Sequence, residues 1–208
     1  MGAAGPTVVK LGGSYAFSAA LKAWIDAVAS GAGRVVLVPG GGPFAQAVRE
    51  AQPKMGFDDR AAHEMALFAM HQYGCALASL RTELRLADSA AAIRDVLLAE
   101  GVPVWSPTAM LRDAKDVPWS WDVTSDSLAA WLAGRIGATR VLLVKHLHPP
   151  PGRLRSAELV AGGIVDPAFP RFLRASGAHA AIAGPDGHAA AAIALRNGAM
   201  VGTAIELD

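Results

Sequence analysis

The 208-residue chain has a single cysteine, Cys75, so no internal disulfide framework can form and no thiol cluster exists for a structural zinc site. Excess charge is lacking too. Nineteen Lys and Arg stand against 18 Asp and Glu, a formal +1, which provides no field of either sign to draw the chain onto nucleic acid or an anionic membrane. No run of 18 apolar residues passes without polar interruption, which argues against a membrane span. The opening MGAAGPT has neither a basic segment nor a long apolar one and does not read as a secretory leader. Gly2 invites a myristoylation reading, but Pro6 stands where that signal requires Ser or Thr. Also missing are the P-loop pattern GxxxxGK[ST], the dinucleotide fingerprint GxGxxG, any solenoid repeat and any low-complexity tail. These absences leave small molecules and other protein chains as partners and the cytosol as the expected compartment. The length suits one sizeable core, hence a single domain over residues 1–208.

What is present is an alternation of apolar runs and helical patterns. Val8 to Leu11 is rich in β-formers, and Leu21, Trp24, Ile25 and Val28 then fall on one helical face. The unit recurs when RVVLVPGGG, a buried strand ended by Pro39 and three glycines, runs into PFAQAVREAQ, a helix with proline in its first turn. Residues 58 to about 80 read as a long, mostly buried helix, with Asp58 or Asp59 as cap and Met65, Phe68, Ala69 and Tyr73 at packing positions. Further on come a helix over DSAAAIRDVLLAEG, a strand VPVW, an irregular loop over 107–121, a helix over 124–138 capped by Thr124 or Ser125, and a strand TRVLLVKHLH. Residues 149–163 read as a surface excursion, and helix, strand, helix and strand alternate from there onward. Each parallel crossover needs a helix to return the chain, so the pattern predicts a three-layer α/β/α sandwich with a mostly parallel central sheet. Ligands in such sheets bind beyond the carboxyl ends of the strands, where both glycine clusters lie.

KLGGS places Lys10 ahead of Gly12, Gly13 and Ser14, and the helix expected next would point its positive end at the same spot. An ordinary strand-to-helix turn produces the same pattern. Gly40, Gly41 and Gly42 contribute no buried side chain and cost chain entropy, so a close ligand, or alternatively a tight approach of helix and sheet, must account for them. Asp122 and Asp126 flank Thr124 and Ser125 at a helix start, where they either face a ligand or simply cap. His63 and His71 are poorly spaced for a metal and read as core or interface residues; His146 and His148, on one side of a strand, read as loop or solvent contacts. Cys75 reads as a small packed residue. Trp105, Trp119 and Trp121 either anchor their loop or form an aromatic wall for a flat ligand. The Ala-rich composition and long helices predict at least a dimer, by burial of helix faces.

KLGGS, VPGGGPFA, TSDSLAAWLA, RVLLVKHLH and GAMVGTAIEL, in this order, resemble the amino acid kinase superfamily over nearly the whole chain. Within it, GGGPFAQAVR, AAHEMALFAM and WDVTSDSLAAWLA are most similar to kinases acting on an aminomethyl-furanmethanol phosphate in methanofuran synthesis. The resemblance implies transfer of the γ-phosphoryl of ATP, with Mg2+ on the nucleotide, to a phosphate-bearing or carboxylate acceptor. It divides the chain into an acceptor-binding half, about 1–115, and a nucleotide-binding half, about 116–208. It also implies catalytic roles for Lys10, Asp126 and Lys145, phosphate contacts from Gly12, Gly13, Ser14, Asp122 and Ser125, and an acceptor site lined by Gly40, Gly41, Gly42, Arg60 and His63. Arg60 sits where uridylate kinases of this family place an arginine on the acceptor's phosphate, and His63 replaces a family aspartate. No metal-binding residues are implied. Several relatives carry a late second lysine, yet none follows Lys145 here, which leaves Arg171 or Lys145 itself to replace it. That departure also opens the alternative of a non-catalytic nucleotide- or oxyanion-binding storage or regulatory member. A flavodoxin-like module would suit the sheet but give Lys10 and Asp126 no work.

Overall fold

Five-residue strands whose every side chain is buried need cover on both faces, and that requirement organises the molecule. The computed structural model describes residues 5–150 and 152–208; the Gly2 reading lies outside the described residues. Strands β1 (Thr7–Leu11), β2 (Val35–Pro39), β3 (Leu84–Ala87), β4 (Val102–Trp105), β5 (Arg140–Val144), β6 (Arg153–Arg155), β7 (His179–Ala183) and β8 (Thr203–Glu206) form one eight-stranded sheet. Its order is β3-β4-β2-β1-β5-β7-β8-β6, with every pairing parallel except β7 with β8.

The helices are α1 (Leu21–Ala29), α2 (Gly42–Met55), α3 (Asp59–Ala78), α4 (Ala90–Leu98), α5 (Thr108–Leu111), α6 (Ser125–Ile136), α7 (Ser156–Ala161), α8 (Phe169–Ser176) and α9 (His188–Arg196). Strand alternation sorts the core into two layers. Val8, Val36, Val38, Val141 and Leu143 pack with residues of α6 and α8, while Val9, Leu11, Leu37, Leu142 and Val144 pack with residues of α1 and α9. The three-layer α/β/α architecture is the one the sequence predicts.

From β1 the chain moves to β2, β3 and β4 on one side, then returns to place β5 against the other side of β1. That reversal opens the crevice where open α/β sheets bind ligands. Several local expectations give way. A 3-10 turn over Gly13–Phe17 intervenes after the first glycines, so α1 begins only at Leu21 and its start does not adjoin Gly12 and Gly13; the helix that starts at glycine is α2. On α3 the buried face is Ala62, His63, Leu67, Ala69, Met70, Tyr73, Gly74 and Leu77, whereas Met65 and Phe68 are exposed, so the helix is half buried rather than mostly so. Edge strand β3 forms in a stretch between two helices to which the sequence reading assigns no element, and β6 forms within the surface excursion. β5 ends at Val144, which puts His146 and His148 in the following bend; His146 stacks edge-on against Tyr15, and His148 lies 3.6 Å from Asp186.

Candidate active site

The same alternation aims two lysines at one place. Lys10 is two residues from Val8 and Lys145 two from Leu143, so both rise from the sheet face covered by α6, on the neighbouring strands β1 and β5. Asp126, in the first turn of α6, meets both: Oδ1 lies 2.8 Å from Lys10 Nζ, and Oδ2 accepts from Lys145 Nζ at 2.5 Å. Lys10 and Asp126 are 5% and 3% exposed, and the Lys145 side chain 15%. Burial pushes the Asp126 carboxyl up, but the two ammonium groups outweigh it and hold the pKa below the usual carboxylate range. Burial, and secondarily the charge of Lys10, push Lys145 down to about 8 against the opposing effect of Asp126. Two cations thus share one anion, and the surplus positive charge is poised for an anionic ligand.

Asp126 is held in turn by Asp166, a residue with no signal in the sequence reading. Its Oδ2 accepts from Thr124 N at 3.0 Å, Thr124 Oγ1 at 2.8 Å and Ser127 N at 3.0 Å, while Oδ1 accepts from Ser127 Oγ. Thr124 occupies the N-cap position of α6 but makes no side-chain cap bond, so a carboxylate about 40 positions away satisfies the helix start instead. Burial and the nearby Asp126 push the Asp166 pKa up. Asp166→Ala strands two backbone donors in the interior, and a loss of about 2–4 kcal/mol in denaturant unfolding is expected. Asp166→Asn, which keeps one acceptor oxygen, should cost clearly less.

The glycines have two duties. A Cβ on Gly13 would come within 2.5 Å of Gly42 N, and one on Gly40 within 2.5 Å of Gly13 N, so the loops after β1 and β2 touch backbone to backbone. Gly42 also adopts φ +56°, facing the Tyr73 ring. Gly12 and Gly40 are consumed in this stitching, with Gly12 N donating to Val144 O and Gly40 N to Leu11 O. Gly13, Ser14, Gly41 and Gly42 instead line a cleft of 360 Å3 that also takes in Ser125 and His63. The tight-approach and close-ligand readings of the glycines therefore both hold a share of the geometry.

Asp122 is outside this cleft; its carbonyl accepts from Ala168 N. Arg60 is displaced as well, laid over the Trp119 ring at 4.3 Å in an adjoining 90 Å3 cavity. His63, 9% exposed, lines both spaces, and its burial lowers its pKa, so it is neutral at pH 7. Arg171 donates to the Asp116 carbonyl and lies over Phe172, making no contact with Asp126; Lys145 is the second cation. The three tryptophans divide: Trp105 is fully buried and stacks on Trp131, Trp119 is half exposed, and Trp121 forms cleft wall. Cys75, expected to be packed, is exposed, with Sγ 3.6 Å from His71 Nε2.

A parallel sheet with touching glycine loops and a buried Lys-Asp-Lys set at its reversal defines a class. Residues 5–148 match the profile of the Amino acid kinase family, and the chain belongs to that family. Among its relatives is the "[5-(aminomethyl)furan-3-yl]methyl phosphate kinase" of Methanocaldococcus jannaschii, 25% identical over 138 residues that cover 65% of this chain. The match spans 63% of that protein, less than two thirds of its length. The solved uridylate kinase of Archaeoglobus fulgidus superposes with a TM-score of 0.72 at 19% identity, covering 97% of this chain and 100% of its own. The UMP kinase of Bacillus anthracis gives a TM-score of 0.72 at 18% identity, covering 97% and 95%. These two share the fold.

Proposed function

We propose that the protein transfers the γ-phosphoryl group of ATP to a small phosphate-bearing acceptor, of the kind named in its Methanocaldococcus jannaschii relative, as a step of methanofuran synthesis. The observation that carries this reading is Asp126 clamped between Lys10 and Lys145, next in sequence to Ser125 at the cleft edge. An acceptor phosphate is already anionic near neutral pH, so its oxygen attacks the γ-phosphorus and ADP leaves without a proton having to be abstracted. Such a reaction needs cations and amides in place more than it needs a base. Lys10 and Lys145 supply the charge, Asp126 fixes their positions, and the loops carrying Gly13, Ser14, Gly41 and Gly42 cradle phosphate oxygens. Among the described residues no three carboxylate, histidine or cysteine side chains converge to hold a metal. Mg2+ would be carried by the phosphates of ATP, where it would supply charge neutralisation beside Lys10 and Lys145.

The nucleotide belongs in this reading to the half beyond about residue 116, and the acceptor to the half before it. Exposure of Met65 and Phe68 on α3 supports a homo-oligomer. The case for a non-catalytic storage or regulatory member rested on the missing late lysine, and it weakens because Lys145 already stands at Asp126.

Two measurements test the proposal. Incubation with Mg-ATP and phosphate-bearing acceptors should release ADP in step with acceptor consumed; intact ATP binding without ADP release from any of them would refute it. The pH profile of kcat/KM should fall above about pH 8, roughly tenfold per unit, as Lys145 loses its proton. The stability contribution runs the other way. The folded pKa of Lys145 lies below the ordinary lysine value of 10.5, so the unfolded chain binds more protons between the two values, and stability from this group rises with pH there. A parallel fall of rate and stability across that window would contradict the assignment.

A further inference from the structure

The outer face of α3 departs from the pattern of a surface helix. Its inner face, from Ala62 to Leu77, is buried, and the side turned away from the core should then be charged. Instead no Asp, Glu, Lys or Arg occurs between Glu64 and Arg81. Ala61, Met65, Phe68, Gln72, Cys75 and Ser79 succeed one another by alternate steps of four and three, which sets them in one seam opposite the buried face, and all but the partly covered Ala61 are exposed. Two further exposed leucines extend the patch, Leu80 just past the end of α3 and Leu86 on β3, whose side chain borders Gly74.

Two features select what covers this face. The seam is symmetric end for end: when two α3 helices run antiparallel about its midpoint, Ala61 meets Ser79, Met65 meets Cys75 and Phe68 meets Gln72, each twice, with no seam position left over. Met65 and Phe68 thereby each face a smaller residue. The ends of the helix also carry opposite charge. Asp58, Asp59 and Glu64 stand at its start, where Arg60 is drawn off over Trp119, and Arg81 and Arg85 stand past its end around Glu83. An antiparallel pair sets the acidic end against the basic end and opposes the two helix dipoles, whereas a parallel pair sets like on like. An anionic bilayer would be repelled by the acidic end. The helix face, about 30 Å long by about 10 Å wide, offers about 300 Å2 as the apolar core of an interface. With the charged ends, Leu80 and Leu86 added as its rim, the patch extends toward the roughly 800 Å2 per partner of a stable dimer. We infer that α3 docks antiparallel on the α3 of a second copy of this chain, about a two-fold axis level with Met70. The opposite face of the same helix lines the cleft through His63 and Met70, so the interface lies behind the site and does not depend on the reaction proposed for it.

The thiol already in the seam provides the test. In this register each Cys75 faces Met65 of the partner subunit, and the two Cys75 side chains lie about 15 Å apart along the helices, so oxidation of the wild type should give no covalent dimer. Met65→Cys should convert most of the chain into disulfide-linked dimer under the same oxidation, and Met65→Cys combined with Cys75→Ser should return it to single chains on a denaturing gel. Crosslinking of the wild type through Cys75, or of the double variant, would mean a parallel or displaced seam and would overturn the inference. Sedimentation at micromolar concentration should give twice the 21.4 kDa of one chain, or a multiple of that dimer. Phe68→Glu should raise the dissociation constant at least about a hundredfold, since symmetry installs the charge twice. Phe68 is 47% exposed, so the circular dichroism of this variant should match that of the wild type. A wild type that stays monomeric, including one that binds vesicles or a different protein instead, overturns the inference, and so does a dimer that Phe68→Glu leaves intact. Were Phe68→Glu to misfold, the presence or absence of the Met65→Cys crosslink decides alone.

Discussion

Lys10→Met is expected to lower turnover about a thousandfold while leaving the fold in place, because a transferring phosphoryl group loses a positioned charge inside a water-poor site. Methionine is the better probe than alanine. Lys10 is 5% exposed, so truncation to alanine would add a cavity to the loss of charge, whereas methionine retains most of the apolar stem. The arrangement around Asp126 explains why stability should survive. With Lys10 neutral, Asp126 still accepts from Lys145 at 2.5 Å, and two cations sharing one anion become a simple pair. A change within about 1 kcal/mol is expected in denaturant unfolding. The variant also has a spectral fingerprint in pH: Lys10 is one of the groups holding Lys145 down to about 8, so its removal should move the alkaline fall of kcat/KM to higher pH. Unaltered turnover would remove Lys10 from the reaction, and an unmoved alkaline limb would mean that the group titrating there is not Lys145.

That pairing was legible in the sequence only in part. The order of strands and helices follows from apolar runs and helical spacing, and both glycine clusters fall at strand ends that one parallel sheet must bring to the same side. Lys10 and Lys145 can be placed by alternation once β1 and β5 are known to be neighbours, but that adjacency is a property of sheet order rather than of either segment. Asp166 shows the limit most clearly. Its four hydrogen bonds reach residues about 40 positions away, and the residues before it read as a surface excursion, so no local pattern marks it. The edge strands that the sequence reading does not place have a similar origin. β3 has exposed Arg85 and Leu86 between buried ends, and β6 is three residues with two arginines, patterns that only pairing with a neighbour turns into strands. Arg60 and Asp122 fail to reach the cleft for a different reason: helical phase and the path of the loop before α6 decide orientation, and neither is written in a residue's neighbours.

Asp126→Asn should damage rate and stability together, against the simpler expectation that a residue serving the reaction can be neutralised at little structural cost. Asparagine preserves shape at the start of α6, and Asp166 continues to cap that helix, so the variant isolates charge. What it leaves is two ammonium groups facing each other with no anion, at a site where Asp126 itself is 3% exposed. Removing one partner from a buried ionic set typically costs about 3–5 kcal/mol, and a loss of that order is expected at pH 7. Lys145 provides the relief. Already lowered to about 8 by burial and by Lys10, it loses its attractive counterion in the variant, so its folded pKa falls further below the ordinary lysine value of 10.5. The folded state then binds fewer protons than the unfolded chain over a wider window, and stability climbs with pH through that window. Between pH 7 and pH 9 the variant should therefore recover more stability than the wild type does, whereas turnover should stay at least about a thousandfold below wild type at both values, since a neutral Lys145 cannot stabilise phosphoryl charge. Denaturant midpoints at the two pH values decide the matter: an equal deficit at both would mean that the lysines do not repel across the vacated position, and no deficit at either would mean that Asp126 is not what holds them together.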